Sequence, residues 1–415
     1  MKKILSIICT IICFAFTACY STQSTSPEQF AAGKKYIVTG SVTPIRNNPK
    51  SENTSSRLNY KDMKAVWLSY IDLSPMLTGK TETEFKNGFE TACKNISEIH
   101  CNTVFIHVRP FGDALYNSDI YPCSRFITGS PTDKPPFDPL SIMVETAHKY
   151  KLSIHAWINP LRLDDEKYFD GYDAKYLIKK WYDSKNGYVN SVQGDKRLWL
   201  DPGYSEVRKL IADGAQEIAK KYDIDGIHYD DYFYPTTADT FDKECFAKSG
   251  SDKSLSVWRC ENISLMCAQI YKAVKSVDKS IIVGAAPQGN VDNNYRYMYA
   301  DVKKWGSETG YVDYICPQIY FGYNNPVKPF LETLKEWENI VVNDKVDLYV
   351  GLAVYKVSGG DDEFVNTKGI ISNQIKDIGN SKVCKGFALY NYINLFSDSA
   401  RSREELYSIK TQLSG

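Results

Sequence analysis

From residue 63 onward the chain repeats one pattern: a short apolar, β-branched or aromatic run, then a longer segment of helical period. The predicted strands are 64–70, 103–109, 153–158, 226–231, 280–286, 314–319, 348–354 and 386–390. Helical segments fill the gaps, over about 83–98, 139–150, 204–222, 258–277, 298–308, 328–342, 364–378 and 402–412. Asp138-Pro139 and Asp201-Pro202 are predicted helix starts, because a carboxylate accepts the free amide hydrogens and proline suits the first turn. Eight such units in roughly 350 residues predict an α/β fold, a (β/α)8 TIM barrel. A doubly wound open sheet is the rival, but no Gly-rich phosphate turn follows the first strand.

With 415 residues, 43% of them hydrophobic and 24% charged, the chain can bury a core of that size. Fifty basic and fifty acidic residues cancel. That balance leaves no electrostatic footprint for nucleic acid and no polybasic run for anionic lipid.

The N-terminus reads as an address. Lys2 and Lys3 precede an apolar run over 4–16 that is too short to span a bilayer comfortably. The run ends Phe16-Thr17-Ala18-Cys19, close to a lipobox, which predicts a lipoprotein-type signal peptide over 1–18 and lipidation of Cys19. Phe16 stands where leucine is usual, so secretion without a lipid anchor is the alternative. Residues 19–60 are rich in Ser, Thr, Gln, Asn and Pro and predict a flexible tether, or at least a poorly packed extension. The folded domain is then expected over 61–415, held outside the cytoplasm at the cell membrane.

Of eleven cysteines, Cys9, Cys13 and Cys19 fall in the leader, and the others show no zinc spacing. Cys93, Cys267 and Cys316 lie within apolar patterns and read as small buried thiols.

In a barrel, active sites sit where strands end and βα loops begin. Those ends read Tyr70 and Asp72, Arg109 with Asp113, Trp157 and Asn159, then Asp230-Asp231-Tyr232 preceded by His228. They continue with Gln288, Gln318, Tyr320, Tyr355 and Asn391. Amides, carboxylates and arginine hydrogen-bond sugar hydroxyls, and aromatic faces stack on pyranose rings. Most of the 30 tyrosines and 7 tryptophans must be packing, so only those at strand ends are candidates. Long loops over 110–137, 159–203 and 232–255 are predicted to shape a cleft.

Glycosidic cleavage ordinarily uses two carboxyl groups. No glutamate stands at a strand end, so Asp230 and Asp231 lead, with Asp72 and Asp113 behind them. A regular strand sends neighbours to opposite faces, so both aspartates reach one cleft only if the strand breaks at Asp231. Two close carboxylates then share a proton, which supplies the general acid. The alternative is that Asp231 caps the loop or holds an arginine. His107, His155 and His228 face the barrel interior by parity with Arg109, Asn159 and Asp230. They read as hydrogen-bonded supports of the carboxylate layer; zinc is the rival reading, and no metal or other cofactor is assigned.

The runs Met63-Lys64-Ala65-Val66-Trp67-Leu68-Ser69-Tyr70, Phe105-Ile106-His107-Val108-Arg109-Pro110 and His155-Ala156-Trp157-Ile158-Asn159-Pro160 resemble the glycosyl-hydrolase-like family 10 proteins. So do DGIHYDDYFYP over 225–235 and Cys316-Pro317-Gln318-Ile319-Tyr320. The resemblance covers about 61 to 395 and implies a bacterial envelope (β/α)8 glycoside hydrolase, some members acting on peptidoglycan glycan strands that lack stem peptides. Only Asp230 and Asp231 are carried over as catalytic. The chitinase-like signature D-G-x-D-x-D-x-E matches at Asp225, Gly226 and Asp230, but His228 and Tyr232 replace two of its acids. The N-acetylhexosaminidase type is closer, with two adjacent acids after the fourth strand. By that parallel Asp230 orients the substrate acetamido group and Asp231 is the general acid. The expected function is an envelope-anchored glycosidase acting on an N-acetylhexosamine polysaccharide. A carbohydrate-binding pseudoenzyme and a metal-dependent polysaccharide deacetylase are the alternatives.

Overall fold

In chain order the strands are β1 (Met63–Leu68), β2 (Thr103–Arg109), β3 (Ser153–Ile158), β4 (Arg162–Asp165), β5 (Val189–Ser191), β6 (Arg197–Leu200), β7 (Gly226–Asp230), β8 (Ile282–Ala286), β9 (Tyr314–Ile315), β10 (Asp347–Ala353) and β11 (Cys384–Tyr390). The computed structural model describes residues 57–130, 134–230 and 232–414. The predicted leader, Cys19 and most of the predicted tether therefore lie outside the described residues, as does Asp231. Eight strands, all but β4, β5 and β6, close into a parallel barrel, with β1 hydrogen-bonded to both β2 and β11. Each stands where the alternation places one. No helix of the described residues is long and apolar enough to cross a membrane.

Period-two alternation sorts the barrel's side chains. Ala65, Trp67, Phe105, Trp157, Tyr314 and Tyr349 fill the interior, while Val66, Leu68, Val104 and Ile106 pack outward in the layer shared with the helices. The large interior rings need space opposite them, and glycine supplies it. A Cβ on Gly284 would lie 1.9 Å from Cζ of Tyr314, and one on Gly226 would lie 2.7 Å from Cγ of His155. Burying each such aromatic contributes roughly 1.5–3 kcal/mol.

Four details differ from the sequence reading. β9 stops at Ile315 because Pro317 has no amide to give the ladder, and pairing resumes only as bridges from Gln318 to Gln288 and Gly351. The helix expected over 298–308 covers only Val302–Ser307, started by Asp301, whose carboxylate accepts the Lys304 amide; an unforeseen helix, Val291–Tyr297, precedes it, with Tyr299 between them in the left-handed region. The helix expected over 364–378 is two, Asp362–Asn366 and Ile370–Asn380. Left-handed Gly369 starts the second, and Glu405 of the final helix takes its free amides. Asp138 caps its helix as expected, whereas Asp201 closes a turn onto the Gly203 amide and the next helix starts at Ser205.

The long loop after β3 holds a structure that the alternation hides. Its strands β4, β6 and β5 form an antiparallel sheet in that order, at the catalytic end of the barrel. At the opposite end, residues 57–60 are strapped across the barrel floor. The Arg57 guanidinium reaches Asp278 and Asp223 at 2.8 and 3.1 Å, and the Leu58 amide reaches Asp225 at 2.8 Å.

Candidate active site

The floor of the site is a layer of imidazoles. All three interior histidines are buried, and burial, ahead of nearby positive charge or other imidazoles, holds His107 and His228 well below the usual imidazole range. Burial likewise pushes His155 down to about 4. Trp67 donates its indole N–H to His228 Nε2 at 3.1 Å, so the imidazole proton sits on Nδ1 and is donated to the Tyr314 hydroxyl at 2.8 Å. Tyr314 in turn donates to His155 Nδ1 at 2.9 Å. Both His228 nitrogens are therefore spent on protein groups, and Phe105 stacks on its ring at 4.1 Å.

Above this floor, Asp230 ends β7 and is 4% exposed. Its Oδ1 accepts a hydrogen bond from Asn159 Nδ2. The orientation of that amide follows from its other partners. Arg162 has only donors, and its Nη2 reaches Asn159 Oδ1 at 2.7 Å, while His107 Nε2 meets the same oxygen at 2.5 Å. Oδ1 is thereby taken, and only the NH2 end remains for Asp230. Arg162 is itself fixed, with Nε on the Pro110 carbonyl at 3.1 Å and its guanidinium 4.6 Å from the Phe111 ring centroid and 3.8 Å from that of Tyr232. His107 is stacked on Trp157 at 3.8 Å. One carboxylate oxygen is thus aimed by a chain running through β7, β3, β2 and β4.

An aromatic cluster stands at the same end of the barrel. Tyr390, at the end of β11, lies 6.0 Å from Tyr320, 5.9 Å from Tyr355 and 6.0 Å from Trp67. Burial, and then Asp72, Tyr232, Asp230 and Tyr70, raise the Tyr390 phenol well above its ordinary value. Tyr355 and Tyr232 are exposed, and Gln318 donates its side-chain amide to the Ala286 carbonyl at 3.0 Å. Gln288 is tied through its backbone to Asn294 at 3.0 and 2.7 Å.

Several residues read as strand-end groups occupy other places. Tyr70 and Asp72 follow β1 in a helix, Tyr70–Leu77. Asp72 is buried in the capping box with Ser69 and also accepts from Asn391 at 2.9 and 3.0 Å and from the Ile393 amide at 2.7 Å. The two residues join the first and last βα loops. Arg109 points outward, against the expectation from parity. The β2–β3 register slips between His107 and Arg109, so Arg109 pairs with outward Ile158. Its guanidinium lies 4.5 Å from the Tyr121 ring centroid, against Gly214 of the helix Ser205–Lys221. Asp113 accepts the Phe111 amide at 2.9 Å, and burial pushes its carboxyl up to about 6.

Beside the Asp230 constellation opens a pocket of about 420 Å³ with Tyr70, Phe111, Arg125, Asp164, Asp195 and Arg197 among its walls. A larger cavity of about 720 Å³ lies at the far pole, between the N-terminal ends of β1 and β11 and the C-terminal helix, away from any strand C-terminus. Arg162, Arg197 and Tyr390 were missed from sequence. The available signal for Arg162 was its place three residues after Asn159, in Asn159-Pro160-Leu161-Arg162.

Comparison with known proteins agrees with this architecture. The family model described as Glycosyl hydrolase-like 10 matches residues 62–365. Glycosyl hydrolase YngK of Bacillus subtilis (strain 168) is 31% identical over 325 residues, covering 73% of this chain and 62% of the relative. The chain therefore spans less than two thirds of that relative's length. Glycosyl hydrolase DigH of Escherichia coli (strain K12) is 28% identical over 383 residues, 84% of this chain and 82% of the relative. Among solved structures, the PgaB (BpsB) glycoside hydrolase domain from Bordetella bronchiseptica has a TM-score of 0.55 at 11% identity, covering 81% of this chain and 96% of that one. That likeness shows the shared fold alone. The family match across most of the barrel has a plain consequence: this chain belongs to the glycosyl hydrolase-like 10 family.

Proposed function

We propose that the protein is a glycoside hydrolase that cleaves an N-acetylhexosamine polysaccharide, peptidoglycan glycan strands being the foremost candidate, from a lipid anchor on the cell envelope. The observation that carries the reading is Asp230. It stands at the end of the fourth barrel strand, with Oδ1 held by an amide whose direction Arg162 and His107 dictate. A carboxylate held this way is preorganised for its task, because it needs no reorientation as positive charge develops at the anomeric carbon. Tyr390, Tyr320, Tyr355 and Tyr232 supply faces for sugar rings.

In this reading Asp230 orients the substrate's acetamido group, whose carbonyl oxygen bonds to the anomeric carbon as the glycosidic bond breaks. Asp231 gives its proton to the leaving oxygen, and water, returning a proton to Asp231, then opens the oxazolinium ring. The test uses Asp230→Asn and Asp231→Asn with defined glycan oligomers, scoring new reducing ends. Each substitution is expected to lower kcat by about 10³-fold. Full activity in either variant sinks that residue's assignment. Binding without new reducing ends in the native protein turns the reading to the carbohydrate-binding alternative.

The anchor rests on the apolar run over 4–16 and its cysteine. Labelled fatty acid should enter the native protein and not Cys19→Ser, which should move to the soluble fraction. Labelling of both defeats attachment at Cys19.

A further inference from the structure

We propose that the 420 Å³ pocket beside Asp230 is a subsite for one uncharged pyranose ring of the same glycan, next to the ring being cleaved. The proposal rests on the carbohydrate reading above, and its test separates the two. The volume is near the small end for a ligand pocket, which suits one ring. Its floor is aromatic: Phe111 is buried, Tyr70 is half-buried, and their rings meet edge to face at 5.0 Å. A pyranose presents an apolar face to such a floor and polar groups around its rim.

The walls carry charges that sum to zero. Arg125 is bidentate to Asp164 at 2.7 and 3.2 Å, and Arg197 Nε is 3.1 Å from Asp195. Lys196 and Asp165 complete three basic and three acidic lining residues. An anionic group gains little there, whereas hydroxyl and acetamido groups find donors and acceptors together. Among the described residues Arg197 uses only Nε for side-chain hydrogen bonds, so both its Nη groups remain as donors. The ion pairs hold these groups in place before sugar arrives, which reduces the ordering cost of binding.

Position links the pocket to the chemistry. Phe111 forms its floor on one side and lies beneath Arg162 at 4.6 Å on the other, and Arg162 reaches Asp230 through Asn159. Tyr70 lies 5.8 Å from His107, which bonds the same amide. In the proposed path a glycan that passes Asp230 enters this pocket next.

The experiment titrates β-linked N-acetylglucosamine oligomers of increasing length into the full-length Asp230→Asn protein, with and without Arg197→Ala. Affinity should step up about tenfold at the length that first reaches the pocket, and Arg197→Ala should cut the step below about twofold. A step that survives Arg197→Ala, or its absence from Asp230→Asn, overturns the subsite. Asp195→Asn provides a second arm, since it leaves the Arg197 charge uncompensated. It should raise affinity for an oligomer bearing carboxylates about tenfold relative to the neutral one, and no such change overturns the uncharged-ring assignment. Cleavage by the native protein is scored separately. Cleavage without the length step removes the subsite alone, and the step without cleavage removes only the hydrolase.

Discussion

Arg162 shows how one side chain sets the state of a neighbour's neighbour. It has no acceptor, so it forces the Asn159 oxygen towards itself and leaves the amide hydrogens for Asp230. Arg162→Met keeps the length and apolar packing against Phe111 and Tyr232 while removing the donors. The amide then loses its strongest constraint, and kcat on a glycan oligomer should fall about 10²-fold, the cost of a small misplacement at a reacting centre. A melting temperature close to native would separate this from unfolding. Unchanged kcat would show that His107 alone orients the amide.

At the scale of elements, the barrel interior depends on matching bulk across strands. Tyr314 on β9 reaches past Gly284 on β8 to bond both His155 and His228. Gly284→Ala puts a methyl 1.9 Å from that ring, so β8 and β9 must part or the ring must leave its imidazoles. Overpacking of this kind typically costs about 1–3 kcal/mol, to be read as a lower midpoint in urea denaturation. An undiminished midpoint would mean that Tyr314 has an equally good alternative position. The same scale explains what sequence reading saw and missed. Barrel strands such as 103–109 and 153–158 are β-branched and apolar, and their bounds were legible to the residue. The β2 bulge was invisible because one extra residue leaves composition unchanged while reversing the face of Arg109.

For the whole molecule, the strap over the barrel floor predicts a pH dependence remote from the cleft. His148 Nε2 meets Asp225 Oδ2 at 2.9 Å, and Asp225 also accepts the Leu58 and Ile154 amides at 2.8 Å. The hydrogen bond to Asp225 raises His148 above its ordinary 6.5. Despite the cost of burial, His148 and the two amides hold Asp225 below its ordinary 3.8. The raised histidine contributes stability that is complete below 6.5 and is lost as pH rises through its folded value. The depressed aspartate contributes stability that is present above 3.8 and is lost as pH falls through its folded value. The pair therefore stabilises most between about 4 and 6.5. Melting temperatures of the native protein and His148→Gln should differ most in that window and converge at alkaline pH. A constant difference across pH would exclude the charge linkage.

The barrel is legible in the chain alone, because alternation of period two and helical segments between strands are local properties that need no knowledge of contacts. It also located Asp230 and Asn159, since strand ends coincide with the catalytic face in this fold. Which side chains stand around them depends on the tertiary fold. Arg162 and Arg197 come from short strands of a small sheet inserted in a loop, too brief to leave a periodic trace. Asp72 and Asn391 proved to be partners because barrel closure joins chain segments far apart in sequence. Contacts made by closure and insertion depend on three-dimensional neighbours, and no run of residues encodes them locally.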